Sequence, residues 1–557
     1  MRPREIAAAQ RGVPFSAGGP PVPALDGAQR QQVVDVLTDV LGGVYAHLPA
    51  KRAAYATDPV QALVLLRRKA GTLSDADFHL ALTGIVGTLR DAHTRYTGPA
   101  PTHGQVAALP FLVEQYRDAS GPAYLVTKVA DDVAALDPDF VAGVRPVWWN
   151  GVPFDRAVEI YADRETGGRP DARRARALQS LTFRALDHAP PPDEHWVRIG
   201  YRTRRGSLRE VKLDWRLVAP EVAAGAVTPA ASEGLRLAVD PGAEAVRRAK
   251  KLLFAGALWA ADRADDPARR AIAPASAVGD PIETPYQDFL SAQVVRIRRR
   301  TVGYLRIWSF NLRAIDPFLD EVGRLLDLLP HDGLVVDLRG NPGGAVWAAE
   351  RLLQSFGDGP IVPTRFAFLA SPLTRAMARS DANQAECAEW LPSLEDAIAT
   401  GELWAQPRPL TPVGWCNDRG RRYPGPAVAV VDPNTYSSGD LFAAGWVDNG
   451  IGPLVTVGQA TGGGGANVWT AAQLRGALDG TGHDQGALPG GTSYTVAIRR
   501  AVRSGLGDGI PIEDLGVAGT PATTYAMTAR DLLHNNHDLL AFCGGLLADL
   551  RSPGSTP

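Results

Sequence analysis

The chain has 557 residues, too many for one hydrophobic core, and at roughly 150 residues per domain it implies about three or four domains. Its 58 Lys+Arg against 60 Asp+Glu leave a formal charge of −2, which argues against the concentrated positive field that a nucleic-acid or polybasic membrane partner requires. Three widely spaced cysteines, Cys387, Cys416 and Cys543, argue against a disulfide framework or a zinc ribbon, and no apolar run approaches the ~18 residues of a membrane span.

Residues 1–25 are rich in Pro, Gly and Ala and read as a flexible tail. They contain no apolar stretch of signal-peptide length, so a cytoplasmic location is expected. Residues 26–105 follow as a helical domain: Val33, Val34, Leu37, Leu41 and Val44 share one face. A second stripe, Phe78, Leu82, Ile85 and Leu89, starts after Ser74, with Asp77 three residues on as a capping signal. His93 continues that stripe and is expected to point inward. Residues 106–218 change to strand character, with apolar runs at 109–116, 123–129 and 143–154. A hairpin follows, in which Val197, Ile199 and Tyr201 alternate, Arg205-Gly206-Ser207 turns, and Val211, Leu213 and Trp215 alternate again. An Ala/Pro/Gly-rich connector at 219–285 has one helical piece near 243–262.

From 286 to 545 the pattern is strand–loop–helix in series, the mark of a largely parallel sheet covered on both faces. Its apolar strands are 334–338, 427–432 and 453–458, a long insertion occupies 362–425, and 546–557 is a second tail. Ligands of such sheets bind at the carboxyl ends of the strands, where Gly340-Asn341-Pro342-Gly343-Gly344 and Thr435-Tyr436-Ser437-Ser438-Gly439 both lie.

A serine between a buried strand and a helix start can attack a carbonyl, with the next residue's N–H receiving the oxyanion. That describes Ser437 with Ser438, although either could be a plain N-cap. The glycine loop could give a second N–H from Gly343 or Gly344; it fits neither a dinucleotide nor a phosphate-loop fingerprint. The nucleophile needs a base, and no lysine follows Lys251, so histidine is the natural substitute. His93 stands out by its inward direction, while the pair His534 and His537 lacks an acidic third ligand, so no metal is expected. An orienting carboxylate is expected at Glu513, with Asp514 and Asp91 as rivals.

The strings GYLRIWSF (303–310), VVDLRGNPGG (335–344), VAVVDPNTYSSGDLFAAGWVDNG (428–450) and LVTVGQATGGGG (454–465) together resemble the C-terminal processing (tail-specific) serine peptidases. LRDAHTRY (89–96) is similar to the histidine element of the branch that includes the tricorn core and the chlamydial protease-like activity factor. The module containing GVRPVWWNGVP resembles a PDZ domain. The resemblance implies an α/β multidomain protein with a helical N-terminal domain, a PDZ-like β-rich module and a ClpP/crotonase-like peptidase core. It implies Ser437 as nucleophile, His93 as base, Glu513 as orienting acid, and Ser438 with Gly343 or Gly344 as oxyanion donors. The lysine of the other branch would fall at about Gly464. Two positions depart from the pattern: Ala92 stands where tricorn-like members have serine, and Gly516-Val517-Ala518-Gly519-Thr520 stands where the family has Gly-Val-x-Pro-Asp.

The expected activity is that of a serine endopeptidase without a cofactor, acting on a peptide or protein through an acyl-enzyme. The same pattern also admits an inactive peptide- or ligand-binding scaffold, or a ligase that gives the acyl group to an amine. No nucleic-acid or membrane partner is expected. The oligomeric state is not legible, and a homodimer is left open.

Overall fold

The computed structural model describes residues 12–15, 24–99, 104–219, 237–255, 280–297 and 300–550. Of the two expected tails, 1–11, 16–23 and 551–557 lie outside the described residues, as do 220–236 and 256–279 of the expected connector. Val13–Pro14, inside the first expected tail, is instead a strand paired antiparallel with Arg216–Val218.

Four helices open the fold: α1 (Gly27–Gly43), α2 (Leu48–Tyr55), α3 (Pro59–Lys69) and α4 (Asp75–Gly87). Each start has a local cause. Asp26 and Gln29 exchange a capping box, Asp58 and Ser74 cap the third and fourth helices, and Pro49 and Pro59 sit in first turns where the missing N–H does no harm. The stripe read from the sequence is buried, but not in a core of its own. Val33, Leu37, Leu63, Phe78 and Leu82 join one cluster with Leu305, Phe318, Leu352 and Leu441 of the C-terminal half. At about 1.5–3 kcal/mol for each fully buried large apolar side chain, this shared core ties the N-terminal helices to the rest.

The β-rich region has a separate core around Phe111, Phe140, Trp149, Val158 and Tyr201. The expected hairpin pairs Trp196–Arg202 with Leu208–Asp214, and Gly206 takes the left-handed turn position at φ 90°. Helix α5 (Pro170–Ser180) closes this region. A short strand, Leu237–Val239, follows, and Asp240 then caps α6 (Pro241–Phe254).

The C-terminal half is a seven-stranded sheet whose spatial order follows the chain: β1 (Asp280–Ile282), β2 (Leu290–Ile297), β3 (Arg300–Ile307), β4 (Leu334–Asp337), β5 (Ala427–Val431), β6 (Leu454–Val457) and β7 (Thr524–Tyr525). The first three are antiparallel and β3 to β7 run parallel. Both β4 and β5 are buried throughout, as continuous apolar runs between two covered faces must be. One face takes α7 (Ile315–Leu328), α8 (Val346–Leu352) and α9 (Ser438–Asp448); the other takes α10 (His537–Asp549) through Leu539, Cys543 and Leu547.

A second sheet was not legible beforehand. The long strand Ser493–Val502 pairs with Arg365–Phe368 from the 362–425 segment, with Ala466–Thr470, and with Arg95–Thr97 just after His93. All three cysteines are buried, and none forms a disulfide. No described helix is long and apolar enough to cross a membrane.

Candidate active site

Ser437 sits between β5 and α9 at φ 66°, ψ −123°, a backbone conformation that costs an L-residue about 1–3 kcal/mol. Asp440 holds it there. One carboxylate oxygen accepts the amides of Ser437 (2.6 Å) and Gly464 (3.0 Å); the other accepts the amide of Gly463 (3.0 Å) and the Thr461 hydroxyl. Burial pushes the Asp440 carboxyl above its usual range while these donors pull it back. A single side chain therefore fixes the strained turn to the 461–464 loop.

The same turn is stitched to the glycine loop after β4. Tyr436 donates its amide to the Asn341 carbonyl (2.8 Å), the Thr435 hydroxyl donates to the Leu338 carbonyl (3.0 Å), and Gly340 donates to Asp432 (2.7 Å). Gly344 has φ 146°, and a Cβ there would lie 1.8 Å from the Phe310 carbonyl carbon, so no other residue fits. The expected oxyanion donors differ in state. Ser438 begins α9, the Gly343 amide donates to Asn341 Oδ1 (2.8 Å), and Gly344 stands in register opposite Ala238.

His93 arrives from the other end of the chain. Arg95–Thr97 adds to the edge of Ser493–Thr495, and the Thr94 hydroxyl accepts the Ala497 amide at 3.1 Å. This brings His93 Nε2 to 2.6 Å from Ser437 Oγ, with both residues wholly buried. The imidazole lies against the Tyr436 ring, centroids 4.8 Å apart. Burial lowers its pKa to about 4, against the pull of Asp91 and Asp240, and Arg176 and Arg95 push the same way as burial. The ring is thus neutral at ordinary pH and able to accept a proton.

Glu513 lies in the same buried cavity but makes no hydrogen bond to His93. Its Oε1 meets the Lys51 ammonium at 2.7 Å, and its Oε2 accepts the Gly465 amide at 3.2 Å. Asp514 takes the same ammonium at 2.5 Å. The carboxylate oxygen that approaches His93 Nδ1 is Asp91 Oδ1, at 4.0 Å, and that oxygen also accepts the His93 backbone amide at 2.7 Å. Burial opposes charge on Asp91, but Lys51, His93 and His47 outweigh it and hold the carboxyl down to about 2. Burial drives Glu513 up, Lys51 resists, and the neighbouring Asp91 and Asp514 add to the rise.

Lys51 and His47 were not singled out from the sequence. They lie four residues apart, a spacing that places side chains on one helical face, and this was the available signal. Lys51 stays protonated although fully buried, because Glu513, Asp514 and Asp91 overcome the penalty of desolvation. His47, Asp91 and Glu513 bring ligand-type atoms within 4.8 Å of one another, but the positive charge among them is already the Lys51 ammonium. His537 is half-exposed and contacts Arg530 and Asp538. At Gly464 a Cβ would lie 2.1 Å from the Tyr436 ring, so the position where a lysine would fall has no room for any side chain.

Residues 301–499 match peptidase family S41, and residues 105–224 match the PDZ domain family. The chain carries an S41 peptidase domain behind a PDZ domain. By that family it is a hydrolase, a serine-type peptidase. Among curated proteins, none matches. Among solved structures, mature CPAF is similar at 17% identity and TM-score 0.64, covering 94% of this chain and 99% of that one. Mature CPAF complexed with lactacystin is similar at 17% identity and TM-score 0.62, with the same coverage. The photosystem II D1 C-terminal processing protease covers 94% of this chain and 98% of that one at 13% identity and TM-score 0.39. The likeness to CPAF shows that the multidomain α/β fold extends well beyond the S41 match itself.

Proposed function

We propose that this S41 peptidase hydrolyses peptide bonds through Ser437, His93 and an acyl-enzyme. The observation that supports it most is the 2.6 Å approach of a neutral, buried imidazole to a hydroxyl on a strained helix-start turn. In this reading His93 Nε2 takes the Ser437 proton as Oγ bonds to the scissile carbonyl carbon, and the oxyanion falls on the Ser438 amide with that of Gly344, or with that of Gly343 once it leaves Asn341 Oδ1. His93 then gives the proton to the leaving amine as the C–N bond breaks. Water attacks the ester, losing its proton to the same nitrogen, and that proton passes to Ser437 Oγ as the ester C–O bond breaks and the acid leaves.

The orienting role falls to the buried carboxylates beneath the ring. Asp91 anchors the His93 backbone and is the nearer to Nδ1, while Glu513, clamped by Lys51, completes the negative side of the cavity. The N-terminal domain, residues 26–105, serves as the part that supplies the base, and the PDZ-like module 106–218 as a platform for an extended peptide. A fluorophosphonate probe tests this directly. Wild type labels, Ser437→Ala does not, and mass spectrometry of peptide digests finds products that have gained water. Labelling that survives Ser437→Ala overturns the assignment, and products that have captured an amine instead of water turn hydrolase into ligase.

A further inference from the structure

Beside the Ser437–His93 pair lies a cationic cluster that the hydrolytic steps do not use. Arg176, on α5, is buried and stacks its guanidinium over the Tyr436 ring at 4.5 Å, on the residue preceding the nucleophile. Arg95, two residues after His93, is held by the Ala92 and His188 carbonyls and the Thr166 hydroxyl, and its Nη2 faces the same place. Both reach the carboxylate of Asp240. Arg176 Nη1 lies 2.5 Å from Oδ2, Arg95 Nη2 lies 4.0 Å from Oδ1, and Asp240 has no exposed surface. Arg176 Nε is buried and has no hydrogen-bond partner, so the guanidinium is only partly satisfied by this one acid.

The position of Asp240 matters more than its identity as a helix cap. Capping of α6 engages Oδ1 alone, which accepts the amides of Gly242 (3.0 Å) and Ala243 (3.1 Å). Residues Leu237–Val239 run antiparallel along Gly343–Ala345, and the Asp240 amide continues that ladder to the Pro342 carbonyl at 2.9 Å. A peptide strand added to the same glycine edge would therefore carry a side chain to the same cluster. The local charge balance agrees: Arg176, which is buried, and Arg95, which is partly buried, face one carboxylate, and a neutral occupant would leave the Arg176 guanidinium without its ion-pair partner.

We infer that Arg176 and Arg95 form a carboxylate-binding subsite, so that this peptidase selects peptides presenting an acidic group where Asp240 now lies. The inference rests on the peptidase reading and adds a substrate class to it. Asp240 is the chain's own occupant of the subsite, and a substrate carboxylate takes its place. An acidic side chain and a peptide's terminal carboxylate share this chemistry.

The test uses the full chain and a peptide series of fixed sequence. One position at a time is changed among Asp, Glu, Asn and Gln, with each peptide made as free acid and as C-terminal amide. Cleavage is followed by mass spectrometry in wild type, Arg176→Gln, Arg95→Gln and Asp240→Asn, which keeps a capping side chain. Wild type should prefer acid over amide at one position by about ten- to a hundredfold in kcat/KM, the worth of a hydrogen-bonded buried charge. Arg176→Gln should flatten the preference, and Asp240→Asn should speed acidic peptides by weakening the internal occupant. A preference that follows only the terminal carboxylate keeps the subsite and assigns it to a chain end. Cleavage of neutral and acidic peptides at equal rates by wild type overturns the subsite while leaving the peptidase reading intact, and so does a preference unchanged in Arg176→Gln and in Arg95→Gln. Wild type that neither cleaves nor labels with fluorophosphonate overturns both. If Arg176→Gln fails to fold, the wild-type acid-to-amide ratio and Arg95→Gln still decide.

Discussion

The two halves of the catalytic cavity are built in opposite ways. The hydroxyl half comes from consecutive strand–loop–helix units of one parallel sheet, with the β4 and β5 loops hydrogen-bonded to each other and Ser437 pinned by Asp440 three residues on. The imidazole half is assembled from 47–51, 91–95, 465 and 513–514, joined by ion pairs and by one strand added to the Ser493–Val502 edge. The first half is stiff because its geometry is local. The second is exact only while a buried lysine and three acids stay matched, so it is the half that variation should loosen first.

The largest effects should come from the two reacting groups. Ser437→Ala should lower turnover by about a millionfold, and His93→Ala by a similar factor. The double variant should be no worse than either, since the two act as one unit. Single-turnover cleavage of a reporter peptide measures all three, and additive losses would refute a shared step. Next comes Lys51→Met, which leaves the buried Glu513 and the partly buried Asp514 without their cation and should destabilise the fold by about 3–5 kcal/mol. A urea midpoint equal to wild type would mean that the imidazole half is held by packing alone.

These contrasts explain what could be read in advance. Ser437, Ser438 and the glycine loop were legible because strand, turn and helix start are neighbours in sequence and each has its own residue signature. His93 was legible from helical phase, as the continuation of the Phe78–Leu89 stripe, although α4 ends at Gly87 and the ring is positioned by the strand that follows. Lys51 was invisible because a buried ammonium depends on acids more than 460 residues away, and no local pattern marks it. For the same reason Glu513 could be placed in the cavity, but not its partner: its carboxylate bonds Lys51 where an imidazole was expected. The helical stripe of 26–44 was read correctly, yet its partners lie in the C-terminal half.

The hydroxyl half has its own long-range tie, and it offers a sharper comparison by pH. Glu350 on α8 is buried and accepts the Thr364 amide at 2.9 Å and the Thr411 hydroxyl, both from the 362–425 segment. Burial raises its pKa to about 7, although both threonines pull it down. A carboxyl raised in the fold lends stability that is complete below its unfolded value near 4.5 and is lost as pH climbs through 7. Between those limits the linkage amounts to about 3 kcal/mol. Glu350→Gln should therefore flatten the fall in unfolding free energy between about pH 4.5 and about pH 7, the window set by the unfolded and folded values. A wild type equally stable at both ends would show that the buried carboxyl ionises as readily as it does in the unfolded chain.

The smallest and most discriminating effect concerns which acid governs the imidazole. With His93 lowered to about 4, the acidic limb of kcat/KM should fall near pH 4, well below the pH at which an exposed histidine titrates, because the neutral ring is the active form. Asp91 is the nearest charge that raises this value, so Asp91→Asn should move the limb lower still, while the asparagine oxygen can keep the bond to the His93 amide. Glu513 lies against Lys51 and exerts no comparable pull on the ring, so Glu513→Gln should leave the limb in place even if it slows turnover. The opposite pattern, a limb that moves with Glu513 and ignores Asp91, would make Glu513 the orienting acid in the working enzyme and would require Lys51 to release it during the cycle. Either result assigns the third member of the site from a shift along the pH axis, which a variant that merely loosened the fold would not produce.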